Sequence, residues 1–319
     1  MFEALDQAVV LFSPAQLRLM NIAQALMMFV VSLHLDLGGL RRVGEHPRAV
    51  LAALAAQWLL VPVLALLAIV LLRLPSAPAL GLLLIACCPG GSAAAFLSLF
   101  ARGHAAVAVA ATTVSTLATA LLTPLLFALT RALAGLDGAA TGLELDTAMV
   151  VRTALVYLLL PLGAGLALQR WRPRLATRLR GPLKLALGVT LGVFLLGAVQ
   201  ANARSLQTLV LTLTPLVGGF HGAVLLGSWL LAAALRLPAP ERRAITLSAG
   251  ISNAGLSLLL VFSFFGGNGA MAALVAWWGV WRLLACGALT LGWAWRAPAA
   301  AQAPSGGSAA GASAGGRAG

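Results

Sequence analysis

Residues 78–100 read PALGLLLIACCPGGSAAAFLSLF. The stretch is apolar throughout and long enough to cross a bilayer, for which a helix needs about 20 apolar residues. Its middle forbids a regular helix. Pro89 has no N–H to donate and its ring crowds the preceding turn, and Gly90 and Gly91 follow at once. A break inside hydrocarbon leaves peptide groups without partners, and it is tolerated only where other protein or a water-filled cavity satisfies them. The segment is therefore expected as two half-helices meeting at a non-helical turn, surrounded by further membrane helices.

The rest of the chain supplies those helices. Of 319 residues 61% are hydrophobic and 9% charged, against about 25% charged in a soluble domain. So few charges cannot cover the surface of an ordinary soluble enzyme, and so much apolar sequence excludes disorder for most of the chain. Nine apolar stretches stand between punctuating Pro, Gly and Arg: A 16–37, B 47–72, C 78–100, D 104–130, E 146–169, F 182–201, G 206–235, H 244–266 and I 270–295. The fold class expected is all-α and polytopic, with about nine transmembrane helices. Residues 1–15 form a short N-terminal segment, 16–296 the transmembrane domain and 297–319 a flexible Ala/Gly/Ser tail. The N-terminus has neither a basic region nor a small-residue cleavage site, so no removable signal peptide is expected.

The net charge of +13 raises the question of nucleic acid, and its distribution answers it. If the loops alternate sides, one side receives Arg41, Arg42, Arg48, Arg102, Arg170, Arg172, Arg174, Arg178, Arg180, Lys184, Arg236, Arg242, Arg243, Arg296 and Arg317. The other receives Arg18, Arg73, Arg131 and Arg204, while Arg152 and Arg282 fall within spans. Cytoplasmic loops carry the basic excess. Nine spans in a cell membrane with the N-terminus outside and the C-terminus cytoplasmic explain the asymmetry, and no nucleic-acid partner is needed. The basic residues are Arg with the single exception of Lys184, a composition that a GC-rich bacterial genome would encode.

Span H is the second irregular one. Ser248-Ala249-Gly250-Ile251-Ser252-Asn253-Ala254-Gly255 places a polar patch bounded by Gly at mid-membrane. C is the third span of A–D and H the third of F–I, and with E between them the two sets enter the membrane from opposite sides. Inverted repeats whose interrupted helices meet near the midplane are the arrangement of secondary transporters. Half-helix N-termini there present free N–H groups and a positive dipole end, which suit an anion.

Pro89-Gly90-Gly91-Ser92, Ala101-Arg102-Gly103-His104, Thr112-Thr113-Val114-Ser115-Thr116-Leu117 and Leu122-Thr123-Pro124 resemble the bile acid:sodium symporter family, as do Arg48-Ala49-Val50 with Gln57 and Pro62 in span B and Gly250–Leu256 in span H. The resemblance covers spans A to I in order. It implies a core domain with two crossing broken helices, a panel domain, inverted five-helix repeats and movement of organic anions with sodium by alternating access. Bacterial members have ten spans, one more than the nine counted here.

The resemblance also implies site residues. Gly90, Gly91, Ser92 and Asn253 match positions lining the substrate cavity at the crossover, and Gln57 and Thr112 match ion ligands. Other ligand positions depart from the family: Ala94 and Ala95 replace a Ser-Asn pair, Ala108 a Ser, Ser248 a Glu and Ser252 a Gln. All eight acids, Glu3, Asp6, Asp36, Glu45, Asp137, Glu144, Asp146 and Glu241, lie in loops or at span ends. A sodium site in a membrane needs oxygens and usually a carboxylate to offset the ion's desolvation. The expectation is a carrier of a small organic anion, a bile-acid-like steroid or a short carboxylate, with weak or no sodium coupling and no cofactor. An alternative is a transport-inactive sensor or scaffold that retains the fold.

Arg282 lies half-way along span I, where a charge costs about 2.5–3.5 kcal/mol on insertion scales and marks function by default. It is assigned to the anionic substrate, and His221 is placed in the same set. Trp277, Trp278, Trp293 and Trp295 read as interfacial belts. Cys87, Cys88 and Cys286 read as small buried hydrophobes, and without an activating base near the thiols no enzyme is expected. Substrate identity and oligomeric state stay open. The topology has a direct test: in intact cells an Ala310→Cys variant should resist a membrane-impermeant thiol reagent, and ready labelling would overturn the assignment.

Overall fold

A computed structural model describes residues 25–33, 38–88, 90–91, 93–136, 159–183, 203–266 and 268–295, with a few isolated positions besides. The terminal segments 1–15 and 297–319, the first half of span E with Arg152, most of span F, Pro89 and Ser92 lie outside the described residues.

Among those residues every regular element is a helix. They are α1 (25–33), α2 (Gly39–Glu45), α3 (Pro47–Leu72), α4 (Ser76–Cys87), α5 (Ala93–Phe100), α6 (Ala105–Leu133), α7 (Leu160–Trp171), α8 (173–183), α9 (Ala203–Ala234), α10 (Ala239–Gly250), α11 (Ala254–Phe264) and α12 (Gly269–Trp295). Four are long and apolar enough to cross a membrane: α3, α6, the Leu211–Ala234 part of α9, and α12. The protein is a multi-pass membrane protein.

Sequence causes the local irregularities. α3 widens into a π turn over Ala56–Leu60. Pro62 cannot donate to the Trp58 carbonyl one turn back, and the widened turn absorbs the missing bond. α4 has 12 residues and α5 has 8, each too short to cross alone. They are the two halves of span C, separated where Cys88 turns extended at φ −80°, ψ 146°. Likewise α10 and α11 are the halves of span H, separated at Ile251 and Asn253.

α6 turns large apolar side chains outward and small or hydroxyl ones inward. On α6, Leu121, Leu125, Leu129 and Leu133 form an exposed stripe four residues apart, while Thr112, Thr113, Ser115, Thr116, Thr119, Thr123 and Thr130 are buried. Hydrocarbon gives no drive to hide leucine, so small and hydroxyl side chains take the interface, where backbones can approach closely.

α7 closes the end of α1. Gln169 Nε2 lies 2.9, 2.8 and 3.2 Å from the carbonyls of Ser32, Leu33 and Leu35, sharing its two protons among groups that have run out of helix partners. One turn earlier Gly165 lets the helices touch: a Cβ there would fall on the Ser32 hydroxyl and 2.9 Å from the Phe29 carbonyl. Gly165→Val is expected to cost about 1–3 kcal/mol through overpacking, read as a lowered unfolding temperature in detergent. An unchanged midpoint would show that this contact is not formed.

The candidate site at the crossing of the interrupted helices

The two breaks meet. Gly91 N donates to Ile251 O at 2.6 Å, and Gly90 and Ser252 pair as an isolated antiparallel β-bridge. The approach is close because Gly91 carries no side chain: a Cβ there would lie 3.1 Å from Ile251 Cγ2 and 3.4 Å from the Ser252 carbonyl.

Neighbouring helices reach three carbonyls beside the breaks. Thr123 Oγ1 on α6 donates to the Cys87 carbonyl at 2.9 Å, at the end of α4. His221 Nε2 on α9 donates to the Gly250 carbonyl at 3.0 Å, at the end of α10. Gln57 Nε2, in the π turn of α3, donates to the Ser248 carbonyl at 3.2 Å. At the start of α11, Asn253 Oδ1 accepts from Leu256 N at 3.2 Å, an ordinary N-cap.

What is left over marks the site. Gln57, Cys88, Gly90, Ser248 and Ser252 help line a cavity of about 10 Å³, room for about one water molecule. Two oxygens of lining residues, Gln57 Oε1 and Ser248 Oγ, are buried without a partner among the described residues, as is Thr112 Oγ1 on α6, outside the lining. Behind this cavity Trp278 Nε1 donates to Ser252 Oγ at 2.8 Å. The His221 ring stands edge-on to Trp278 with centroids 5.0 Å apart. Cys286 Sγ sits 3.7 Å from His221 Nε2, and the half-buried Arg282 guanidinium lies within electrostatic range of both.

The model of the Sodium Bile acid symporter family matches residues 21–208, more than half of the chain. The chain belongs to that family. It is 27% identical over 268 residues to the "Uncharacterized sodium-dependent transporter YocS" of Bacillus subtilis (strain 168), covering 84% of this chain and 80% of that protein. It is 31% identical over 242 residues to the "Probable sodium/metabolite cotransporter BASS1, chloroplastic" of Oryza sativa subsp. japonica, covering 75% of this chain and 57% of that one. It is 28% identical over 236 residues to the "P3 protein" of Bos taurus, covering 71% of this chain and 46% of that protein. The chain thus spans about half the length of the plant and mammalian relatives.

Within this symporter-family frame the residues singled out from sequence fall in different places. Gly90, Gly91, Gln57, Ser248 and Ser252 come together at the crossing. His221 and Arg282 stand behind it on α9 and α12, and Asn253 heads α11. Thr112 is buried on α6 and does not line the cavity. Ser92 lies outside the described residues.

One expectation is corrected. Trp278 is not part of an interfacial belt: it is 1% exposed, because its side of α12 carries its indole N–H to Ser252, whose hydroxyl needs a donor in the interior. Trp295 is 83% exposed, and Trp293 stacks on Trp229 and lies under Arg243, as residues near a helix end can. Thr123, which the sequence marks only as part of Leu122-Thr123-Pro124 and as a hydroxyl on the polar face of span D, caps the end of α4.

The His221 bond tests the site as built. His221→Leu leaves the buried Gly250 carbonyl unsatisfied, which costs about 1–3 kcal/mol. The expected result is a lower unfolding temperature, with His221→Gln restoring part of it, and an unchanged midpoint for His221→Leu would contradict the bond.

Proposed function

We propose that this chain is a secondary carrier of a small organic anion, bile-acid-like or a short carboxylate, working by alternating access at the crossing of α4–α5 with α10–α11. The family is one of symporters, and the names of two relatives speak of sodium-dependent transport and sodium/metabolite cotransport. Gly90, Gly91, Ser92 and Asn253 are assigned to the substrate through backbone and polar groups at the crossing, with His221 and Arg282 behind them. The carrier lies in the cell membrane with its N-terminus outside.

The observation that carries the reading is Arg282. It is a permanent cation half-way along a membrane helix, its Nε has no hydrogen-bond partner, and it has no ion pair among the described residues. It stands one turn, about 6 Å of rise, beyond Trp278, which is fastened to Ser252 at the crossing. An uncompensated charge there is expensive, and an anionic substrate offsets it.

Sodium is weighed on the same atoms. The family positions offer Gln57 Oε1, Ser248 Oγ and Thr112 Oγ1, all neutral, and the described carboxylates, Glu45 and Glu241, stand at the end of α2 and the start of α10. A guanidinium about 6 Å from a cation repels it by roughly 3 kcal/mol at an effective dielectric near 20, and by less at greater separation, so the positive charge of Arg282 acts against a cation on this side of the crossing. This donor set fits a tightly held sodium ion poorly, and coupling is weak or absent. A second reading has one observation in its favour: two orphaned oxygens at a cavity of about 10 Å³ could receive a cation as well as a water.

The measurement is initial anion uptake into proteoliposomes against external sodium at fixed ionic strength. Weak or no stimulation is expected in the native chain, and loss of uptake in an Arg282→Gln variant that stays monodisperse. Steep sodium dependence would favour the second reading, and full activity in the variant would remove the role of Arg282.

A further inference from the structure

A second concentration of positive charge lies away from the crossing. Arg170, Arg172, Arg174, Arg178 and Arg180 fall within eleven residues around the α7–α8 corner, and no acid occurs in the chain between Asp146 and Glu241. None of the five has an ion pair among the described residues. α7 ends at Trp171, Arg172 leaves helical geometry at φ −136°, ψ 63°, and α8 starts at Pro173.

α8 has two faces. Ala176 is fully buried and Leu183 packs against the main core, so the face carrying 176 and 183 rests on the protein. Arg174 and Arg178, one turn apart, are exposed on the opposite face. Beside them Trp171 is 77% and Leu175 47% exposed, while Arg180 Nε is buried without a partner among the described residues. Like charges one turn apart repel. The corner thus gathers guanidiniums without ion pairs among the described residues next to large apolar side chains at the end of α7.

We propose that the α7–α8 corner docks anionic phospholipid headgroups, with the phosphodiester between Arg174 and Arg178, Arg170 and Arg172 at its rim, and Trp171 and Leu175 against the acyl chains. Guanidinium forks match phosphate oxygens, and basic clusters beside a membrane helix recognise acidic lipids. Orientation alone would also retain these charges, but orientation demands no lipid selectivity from the folded protein. The proposal is independent of the transported substrate.

The test titrates the purified full-length chain in detergent with dioleoyl phosphatidylglycerol, dioleoyl phosphatidylcholine or soluble glycerol phosphate, counting bound lipid by native mass spectrometry. Phosphatidylglycerol should bind at least tenfold more tightly than phosphatidylcholine. Affinity should fall by about tenfold or more in Arg174→Gln/Arg178→Gln, and little in the charge-matched control Arg102→Gln/Arg236→Gln. Equal affinity for the two lipids, equal loss in the control, or full competition by millimolar glycerol phosphate would overturn the proposal. A measurement needing no variant accompanies it: phosphatidylglycerol with a photoreactive headgroup should crosslink to residues 170–183 of the native chain, and crosslinks confined elsewhere would overturn it too.

Discussion

A helix broken in hydrocarbon exposes peptide N–H and C=O groups where no water can reach them, each at a cost of several kcal/mol. Two such breaks are present, and the structure depends on how they are paired. They are brought against each other, so that Gly91 donates to Ile251 and Gly90 bridges Ser252. The carbonyls left over go to Thr123, His221 and Gln57, each from a different unbroken helix. α6, α9 and α3 are thus fastened to the crossing by the breaks themselves. A chain able to keep α4–α5 and α10–α11 continuous would need none of these side chains where they are.

The pairing also decides what remains for a ligand. Because Gln57 Nε2 and His221 Nε2 are held by backbone carbonyls, the free ends are Gln57 Oε1 and His221 Nδ1. A carbonyl only accepts, so His221 must carry its proton on Nε2, and in the neutral ring Nδ1 is an acceptor. Ser252 is already bonded by Trp278, while Ser248 keeps a buried hydroxyl without a partner. The oxygens here are neutral, and among the described residues the full charge on the α12 side of the crossing is Arg282.

The sequence made the breaks legible, since Pro89-Gly90-Gly91 and the Gly-bounded patch 248–255 oppose a helix by local chemistry alone. It made their meeting legible only through their matched positions in the order of spans. What it could not reveal was pairing between helices. Nothing local separates Trp278 from Trp277 or Trp293, yet one face of α12 turns Trp278 inward to Ser252. Thr123 is one of many hydroxyls on α6 and becomes a cap because Cys87 ends beside it. The π turn at Gln57 was within reach, since Pro62 lies one turn beyond Trp58 and removes a helix bond there.

The departures from the family acquire a common sense when charge is followed through a transport cycle. The resemblance implies a carboxylate at position 248 that is neutral only with a cation beside it. With Ser248 that need disappears, and with Arg282 the sign reverses: the region is positive when empty and neutral when a monovalent anion is bound. If the carrier works as proposed, the substrate takes the part that the cation plays in relatives, cancelling a charge that would otherwise have to face low dielectric during the conformational change. The empty form would then carry the charge through the membrane field, which acts on each elementary charge with about 2.3 kcal/mol per 100 mV. The net charge moved per cycle would be that of the anion, so a potential negative inside would favour its exit, and uptake would have to follow the gradient of the substrate itself; the loss of the carboxylate together with the gain of the guanidinium would be one electrostatic change.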